Sequence, residues 1–234
     1  LSSSSAASDV YKRQHTEQRK IMNIAIFGQG IIGSRCADRY AAAGYQVTRW
    51  SQRAYAENAT LDPSSAAAQA TVLVSYLKSG QDLRQWFAAV RPVLRPDHLV
   101  MNHSTIDLAT THWLSEQCAA IGCQFVDAPF TGSKVAAENG QLFYYLAGEP
   151  STCEQAASIL QPTARATQYF GAVGNATIMK LANNHYIVCC VEAMAESQAL
   201  ATRFGIDVHA FNAAIQQSAA GSVLTNMKLP TMAE

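Results

Sequence analysis

Two polar residues one helical turn apart, Lys180 and Asn184, carry the strongest chemical signal in this sequence. They belong to the run from Gly171 to Asn184, and residues four apart project from one face of a helix. An ammonium group donates a proton, and a neighbouring amide orients a bound carbonyl. We therefore expect acid–base chemistry on a carbonyl or alcohol group, with Lys180 as the proton donor and Asn184 as the positioning group.

A glycine pattern far upstream indicates a cofactor for that chemistry. The pattern Gly-x-Gly-x-x-Gly directly follows an apolar run and opens a helical one, which is the context that gives the glycines a purpose. The first glycine permits a tight turn, the second lets a pyrophosphate approach the backbone, and the third lets helix and strand lie close together. The helix N-terminus then faces the phosphates. The predicted cofactor contacts here are Gly28, Gln29, Gly30, Ile31, Ile32 and Gly33.

The end of the second predicted strand bears on which dinucleotide is bound. An aspartate or glutamate about 20 residues past the fingerprint typically holds the ribose hydroxyls of NAD. This chain has Trp50-Ser51-Gln52-Arg53 instead. The Ser51 hydroxyl and the Arg53 guanidinium suit a 2′-phosphate, and no carboxylate stands there to repel it. We therefore expect NADP(H) to be favoured over NAD(H).

The elements that must position these residues alternate between short apolar strands and longer helical stretches. Strands are predicted at 23–27, 46–50, 71–77, 98–102, 124–128 and 142–147. Helical patterns cover 31–43 and 83–94, and beyond 174 only helices are expected, at 175–204 and 208–217. This order predicts an α/β fold, a Rossmann-type doubly wound parallel sheet in residues 22–174. An incomplete all-α domain is expected to follow in residues 175–234.

A further loop is expected to hold the substrate. The strand near Phe125 ends at Pro129 and passes into small residues, so the loop should lie at the carboxyl edge of the sheet, where open α/β sheets bind ligands. The Thr131 hydroxyl and the N–H groups of Gly132 and Ser133 are suited to a carboxylate. His103, after the strand that ends near residue 102, is a weaker candidate for a cofactor contact.

Composition narrows the remaining possibilities. Lysine plus arginine and aspartate plus glutamate number 17 each, so no overall field draws the chain to nucleic acid or to an anionic membrane. No apolar stretch reaches the ~20 residues that span a bilayer. The six cysteines lack metal-ligand or disulfide-framework spacing and are expected to be small core residues or incidental thiols. A cytoplasmic protein without a metal site is expected.

Both ends of the sequence carry expectations of their own. Residues 1–21 are polar, lack the apolar core of a signal peptide and precede a natural start at Met22, so they are expected to be a non-native or disordered leader. The chain stops at Glu234 soon after a helical pattern. We therefore expect it to be a C-terminal truncation of a longer protein.

These motifs together resemble the β-hydroxyacid dehydrogenase family, which includes 3-hydroxyisobutyrate dehydrogenase and the glyoxylate and succinic semialdehyde reductases. The resemblance runs from Met22 almost to the end of the chain, through four ordered motifs. They are the glycine fingerprint, Asn102-His-Ser-Thr-Ile106, Asp127-Ala-Pro-Phe-Thr-Gly-Ser133 and Gly171 to Asn184. The continuation through Lys134 to Leu142 is most similar to the glyoxylate and succinic semialdehyde reductase branch.

The resemblance implies a role for each motif. Lys180 would be the catalytic acid and base, Asn184 would position the substrate, and Thr131, Gly132 and Ser133 would grip its carboxylate. Leu77, Lys78 and Thr105 would line the nicotinamide half of the cofactor site. Thr131 stands where the family usually has serine, and Ser133 where glycine is common. A later Lys-Asp-Leu-like segment of the family is missing, so the truncated chain is expected to lack part of the active site.

The implied function is an NADP(H)-dependent oxidoreductase that interconverts a small carboxylate-bearing aldehyde or keto acid and its hydroxy acid. Glyoxylate, succinic semialdehyde and tartronate semialdehyde are the expected substrate types. Alternatives are an NAD enzyme of the 3-hydroxyisobutyrate dehydrogenase type and a non-catalytic dinucleotide-binding interaction module. An imine reductase is disfavoured because such enzymes normally replace the lysine. A full-length homo-oligomer associated through the helical domain is also expected.

Overall fold

The computed structural model describes residues 22–52, 59–60 and 62–232. The expected leader and Arg53 lie outside these described residues. The strands are β1 (Asn23–Phe27), β2 (Gln46–Trp50), β3 (Ala59–Thr60), β4 (Val72–Ser75), β5 (Leu99–Asn102), β6 (Gln124–Asp127), β7 (Phe130–Thr131), β8 (Leu142–Gly148) and β9 (Ala164–Tyr169). The helices are α1 (Gly33–Ala42), α2 (Pro63–Ala68), α3 (Gly80–Val90), a 3₁₀ turn (Arg91–Val93), α4 (Leu108–Ile121), α5 (Lys134–Glu138), α6 (Pro150–Leu160), α7 (Asn175–Arg203), α8 (Val208–Gln217) and α9 (Val223–Met232).

The strands form one sheet in the order β3-β2-β1-β4-β5-β6-β8-β7, and β9 pairs with β8. Every pairing from β3 to β6 is parallel. β8 runs antiparallel to both β6 and β7 and parallel to β9. The chain leaves β1 for β2 on one side and later reaches β4 on the other, so the carboxyl end of β1 lies at the point where the strand order reverses. Ligands of open α/β sheets bind at this position.

The central strands are apolar on both faces, as expected for strands that helices cover on each side. Alternate residues of β1 therefore enter different cores. Ile24 and Ile26 pack in a cluster with Tyr40 and Tyr144. Phe27 lies in the opposite cluster, where its ring is 4.9 Å from the ring of Trp86. The α/β class with C-terminal helices is thus confirmed.

The predicted strands are all present, and β1 and β2 have the predicted bounds. β9 was not predicted, because its residues show no alternation of buried and exposed positions that a local pattern could reveal. The first predicted helix begins two residues later than expected, at Gly33, because residues 31 and 32 form a turn within the fingerprint.

The chain divides into two compact units, one ending at Lys180 and the other beginning at Leu181, both within α7. In the second unit, Gln198 donates to the Asn212 carbonyl oxygen at 3.0 Å, and the Asn212 amide donates to the backbone oxygen of Leu229 at 3.1 Å. These two bonds join α7, α8 and α9. Tyr186 and Phe204 of this unit remain largely exposed, and association through this unit stays a prediction.

The six cysteines fall into two groups. Cys36, Cys118, Cys123 and Cys153 are buried, and burial raises the pKa of each thiol, to about 11 for Cys36 and Cys153. Cys189 is exposed and Cys190 half-buried, both on α7. Among the residues with assigned positions, no cluster of three or more histidine, cysteine or acidic side chains is arranged to hold a metal ion. None of the helices described here combines the length and hydrophobicity needed to cross a membrane.

Candidate functional site

The fingerprint glycines follow β1, and the structure separates what each one does. Gly28 has a φ of 107°, and a Cβ there would overlap the carbonyl oxygen of Tyr76. A Cβ on Gly33, the first residue of α1, would overlap the carbonyl oxygen of Gly28. The fold itself therefore requires glycine at both positions.

Gly30 differs from its two neighbours. A Cβ built on it would meet no atom within 4 Å, and its φ is not positive. Neither local conformation nor protein packing therefore demands glycine at this position. A bound group that approaches the backbone would supply the missing reason, as the fingerprint requires of its second glycine.

A cleft of about 300 Å³ opens at this point, beyond the carboxyl ends of β1, β2 and β4. This volume is at the lower end of the range for small-molecule sites. The residues that line it are Gly28, Gln29, Gly30, Trp50, Ser51, Gln52, Tyr76, Leu77, Lys78 and Asp82. Six of the predicted cofactor contacts thus converge on one cleft.

Of the predicted cofactor contacts that the structure describes, four do not line this cleft. The Ile31 side chain is 65% exposed, Ile32 packs beside the core, and Gly33 has the packing role given above. Thr105 is exposed and lies one residue beyond Ser104. The contact roles of these four residues stay predictions.

Sequence reasoning missed Trp50, Gln52, Tyr76 and Asp82, which also line the cleft. Asp82 lies in the first turn of α3 and accepts a hydrogen bond from the Ser79 hydroxyl at 2.7 Å, while the Ser79 oxygen accepts from the Asp82 N–H at 3.1 Å. The Ser-x-x-Asp spacing a few residues after a strand was a readable signal for this reciprocal cap.

A buried network fixes the carboxyl ends of β4 and β5 beside the cleft. The Ser75 hydroxyl donates to the Asn102 side-chain oxygen at 2.8 Å, and that oxygen also accepts from the Ser104 N–H at 3.2 Å. The Leu77 N–H in turn donates to the Ser104 hydroxyl at 2.8 Å. Asn102 and Ser104 thereby set the backbone path of the predicted nicotinamide-side residues.

His103 is not a cofactor contact in this structure, because it lies inside the core. Its Nδ1 is 2.6 Å from the carbonyl oxygen of Ala128, and its ring lies 4.9 Å from the rings of both Tyr76 and Tyr144. Since a carbonyl can only accept, Nδ1 carries the proton. Burial lowers the pKa of His103 to about 4.

The predicted substrate loop follows β6. Thr131 is half-buried in β7, opposite Phe143 of β8. Gly132 has a φ of 145°, and a Cβ there would lie 2.7 Å from the Leu142 side chain, so the turn requires glycine. The Ser133 hydroxyl accepts from the Ala136 N–H at 3.3 Å and caps α5. The exposed Gly132 and Ser133 therefore sit at a tightly defined turn.

The predicted acid–base pair lies on α7. Lys180 is half-buried, and desolvation lowers the pKa of its ammonium group. This is the direction that a lysine proton donor requires. Asn184 is half-buried four residues further along the same helix. The adjacent His185 is exposed, and its Nε2 lies 3.7 Å from the Cys189 sulfur.

The fold and the cleft together define an NAD(P)-binding protein. A family model described as the NAD binding domain of 6-phosphogluconate dehydrogenase matches residues 23–174. A second, described as the NAD-binding region of NADP-dependent 3-hydroxyisobutyrate dehydrogenase, matches residues 174–234. The chain belongs to the β-hydroxyacid dehydrogenase family, of the 3-hydroxyisobutyrate dehydrogenase type.

Individual relatives agree with this assignment. The chain is 27% identical over 222 residues to glyoxylate/succinic semialdehyde reductase 2, chloroplastic, of Arabidopsis thaliana, covering 90% of this chain and 62% of that protein. It is 26% identical over 210 residues to the cytokine-like nuclear factor N-PAC of Mus musculus, covering 88% of this chain and 38% of that protein. This chain therefore spans less than two thirds of each of these relatives.

A solved structure shares the fold. The 3-hydroxyisobutyrate dehydrogenase of Mycobacterium tuberculosis, solved with L-serine, superposes with a TM-score of 0.80 at 24% identity. The match covers 89% of this chain and 75% of that one.

Proposed function

We propose that this protein is an NADP(H)-dependent oxidoreductase that interconverts a small carboxylate-bearing aldehyde or keto acid and its hydroxy acid. The observation that carries the proposal is Gly30, which lines the cleft and which the fold leaves free to bear a side chain. Because the fold does not require glycine at this position, the close approach of a pyrophosphate to the backbone accounts for it.

The residues of the cleft fit that cofactor along its length. Gly30 and the N-terminus of α1 would receive the pyrophosphate, while Leu77 and Lys78 would flank the nicotinamide half. The bound cofactor would supply or accept a hydride at the substrate carbon.

The preference for NADP(H) rests on the end of β2. Ser51 and Gln52 line the cleft there without a carboxylate, and Arg53 follows in the sequence. The carboxylate of the cleft, Asp82, follows β4, which lies on the opposite side of β1 from β2. Asp82 therefore does not occupy the position at the end of β2 where a carboxylate would hold the ribose hydroxyls of NAD.

Lys180 would move the proton. In the reductive direction its ammonium group donates to the carbonyl oxygen as negative charge develops there, and in the oxidative direction the neutral amine takes the proton back. Asn184 would hold the acceptor oxygen in line. Thr131, Gly132 and Ser133 would bind the substrate carboxylate through the hydroxyl and backbone N–H groups.

The test is NADPH oxidation by the purified full-length protein with glyoxylate and with succinic semialdehyde, with NADH in parallel. Turnover should fall about 10²- to 10⁴-fold in Lys180→Ala, which removes the proton donor, while the Kd for NADPH stays within about twofold. An equal loss of turnover and cofactor binding would contradict the role of Lys180.

A non-catalytic dinucleotide-binding module is the second candidate, and the similarity to N-PAC, which its name describes as a nuclear factor, favours keeping it. NADPH binding without any aldehyde-dependent oxidation would support this alternative. Faster turnover with NADH than with NADPH would instead support an NAD enzyme of the 3-hydroxyisobutyrate dehydrogenase type.

A further inference from the structure

The first turn of α7 is anchored by a carboxylate that is distant in sequence. Asp127, the last residue of β6, is fully buried. One of its oxygens accepts from the N–H groups of Gly174 and Thr177, at 3.2 and 2.9 Å. The other accepts from the Thr177 hydroxyl at 2.8 Å. Asp127 thus accepts hydrogen bonds from the first turn of α7, as the side chain of the N-cap residue normally does.

A second element holds the same turn from another side. The Thr111 hydroxyl of α4 lies 3.0 Å from the Thr177 hydroxyl, and both side chains are buried. Gly174 has a φ of 96°, and a Cβ there would lie 2.6 Å from the Leu108 side chain of α4. The start of α7 therefore has little room to move against either β6 or α4.

A buried carboxylate is a demanding way to make such an anchor. Burial raises the pKa of Asp127, while its bonds to Thr177 and Gly174 oppose that rise. Three donors to one carboxylate stabilise it only if their geometry is kept, because a buried charge that loses a partner is strongly destabilising. An ordinary exposed cap would hold a helix end with weaker geometric demands.

Lys180 lies three residues after Thr177, a rise of about 4.5 Å along the helix. We propose that Asp127 is the positioning residue for Lys180, acting through Thr177 to fix where the ammonium group stands relative to the carboxyl edge of the sheet. This inference rests on the proposed function, in which Lys180 transfers the proton. Misplacement by about 1 Å typically lowers turnover about 10²-fold.

The decisive experiment measures the pKa of Lys180 and does not depend on catalysis. Trace acetylation with acetic anhydride across a pH series, followed by peptide mass spectrometry, gives the pKa of Lys180, with the exposed Lys228 as internal reference. Asp127→Asn keeps the shape of the side chain but loses the charge. If the anchor loosens, Lys180 becomes more exposed and its pKa rises towards the ordinary value of 10.5.

The sign of that shift separates the anchor from a direct charge effect. Removing a nearby negative charge would by itself lower the pKa of a lysine, whereas release from burial raises it. Thr177→Val, which removes one donor, should raise the pKa as well, and Thr177→Ser should restore the wild-type value. These two variants also decide the matter if Asp127→Asn fails to fold.

Asp62→Asn is a matched control. Asp62 caps α2, accepting from the N–H groups of Ser64 and Ser65 at 3.0 and 3.1 Å, and α2 is not one of the two elements that hold the start of α7. Its replacement should lower the free energy of unfolding and leave the pKa of Lys180 unchanged. An unchanged pKa in both Asp127→Asn and Thr177→Val would overturn the proposal.

Turnover then separates the anchor from the proposed function. In an active wild type, Asp127→Asn should lower kcat about 10²-fold with the Kd for NADPH unchanged. If the full-length wild type turns over neither aldehyde while its variants show the expected pKa shifts, the anchor stands and the proposed reaction is refuted. Full kcat in a folded Asp127→Asn would contradict the positioning role directly.

Discussion

Replacing Gly30 by alanine should strengthen the fold and weaken cofactor binding at the same time. The added methyl group meets no protein atom within 4 Å, and Gly30 does not have a positive φ. Alanine at such a position stabilises a protein by about 0.4–1 kcal/mol, because it restricts the unfolded chain. The free energy of unfolding of the apo protein should rise by that amount.

The bound state should respond in the opposite direction. A methyl group placed where the pyrophosphate approaches the backbone overpacks the contact, at a cost of about 1–3 kcal/mol. A central value of about 2 kcal/mol raises the Kd for NADPH about 30-fold. At a ligand concentration 100 times the wild-type Kd, stabilisation by the ligand would fall from about 2.7 to about 0.9 kcal/mol.

The assay is chemical unfolding of both proteins with and without NADPH, together with a fluorescence titration. Gly33→Ala is the matched control, because its Cβ would overlap the Gly28 carbonyl oxygen. That variant should lose about 1–3 kcal/mol or more without any ligand present. Wild-type NADPH affinity in Gly30→Ala would refute the proposed approach of the pyrophosphate, and a large loss of apo stability would refute the geometry.

Three further predictions concern pH and cofactor choice. Since Lys180 must be protonated to reduce the substrate, kcat for reduction should fall as pH rises through the lowered pKa of Lys180, and kcat for oxidation should rise over the same range. Two pH–rate profiles check this. If both rates change only at or above pH 10.5, the role of Lys180 is contradicted. The pKa of His103 is lowered to about 4 in the folded protein, so the unfolded chain takes up the proton first as pH falls. Between pH 7 and pH 4 the free energy of unfolding of the wild type should therefore fall by about 3 kcal/mol more than that of His103→Gln. Urea unfolding at the two pH values measures both. Equal losses would contradict that account. Arg53→Ala should raise the Kd for NADPH about tenfold or more and that for NADH less than twofold, measured by titration; a parallel rise in both would remove Arg53 as a phosphate partner.

Much of the fold was readable from the sequence because the signals are local. The central strands carry continuous apolar runs, and the fingerprint glycines stand between a strand and a helix. Convergence of Gly28, Ser51 and Leu77 on one cleft follows from the parallel direction of β1, β2 and β4, which brings their carboxyl ends to one edge.

What the sequence did not reveal depends on partners far along the chain. β9 is defined by its pairing with β8, and its own residues show little preference for a strand. In the sequence Asp127 is the end of an apolar strand, and no local pattern predicts its hydrogen bonds to Thr177, 50 residues later. His103 was a candidate for a cofactor contact because its core neighbours, Tyr76 just after β4 and Tyr144 in β8, are distant from it along the chain.

The buried and exposed cysteines allow the local opening of individual helices to be measured. A thiol reacts through its thiolate, and for Cys36, Cys118 and Cys153 that species is disfavoured while the covering layer stays closed. These residues lie on α1, α4 and α6, so each reports on a different helix of the sheet domain. The rate at which an alkylating reagent reaches each sulfur therefore measures how often that helix opens, with Cys189 on α7 marking the reaction at an exposed position.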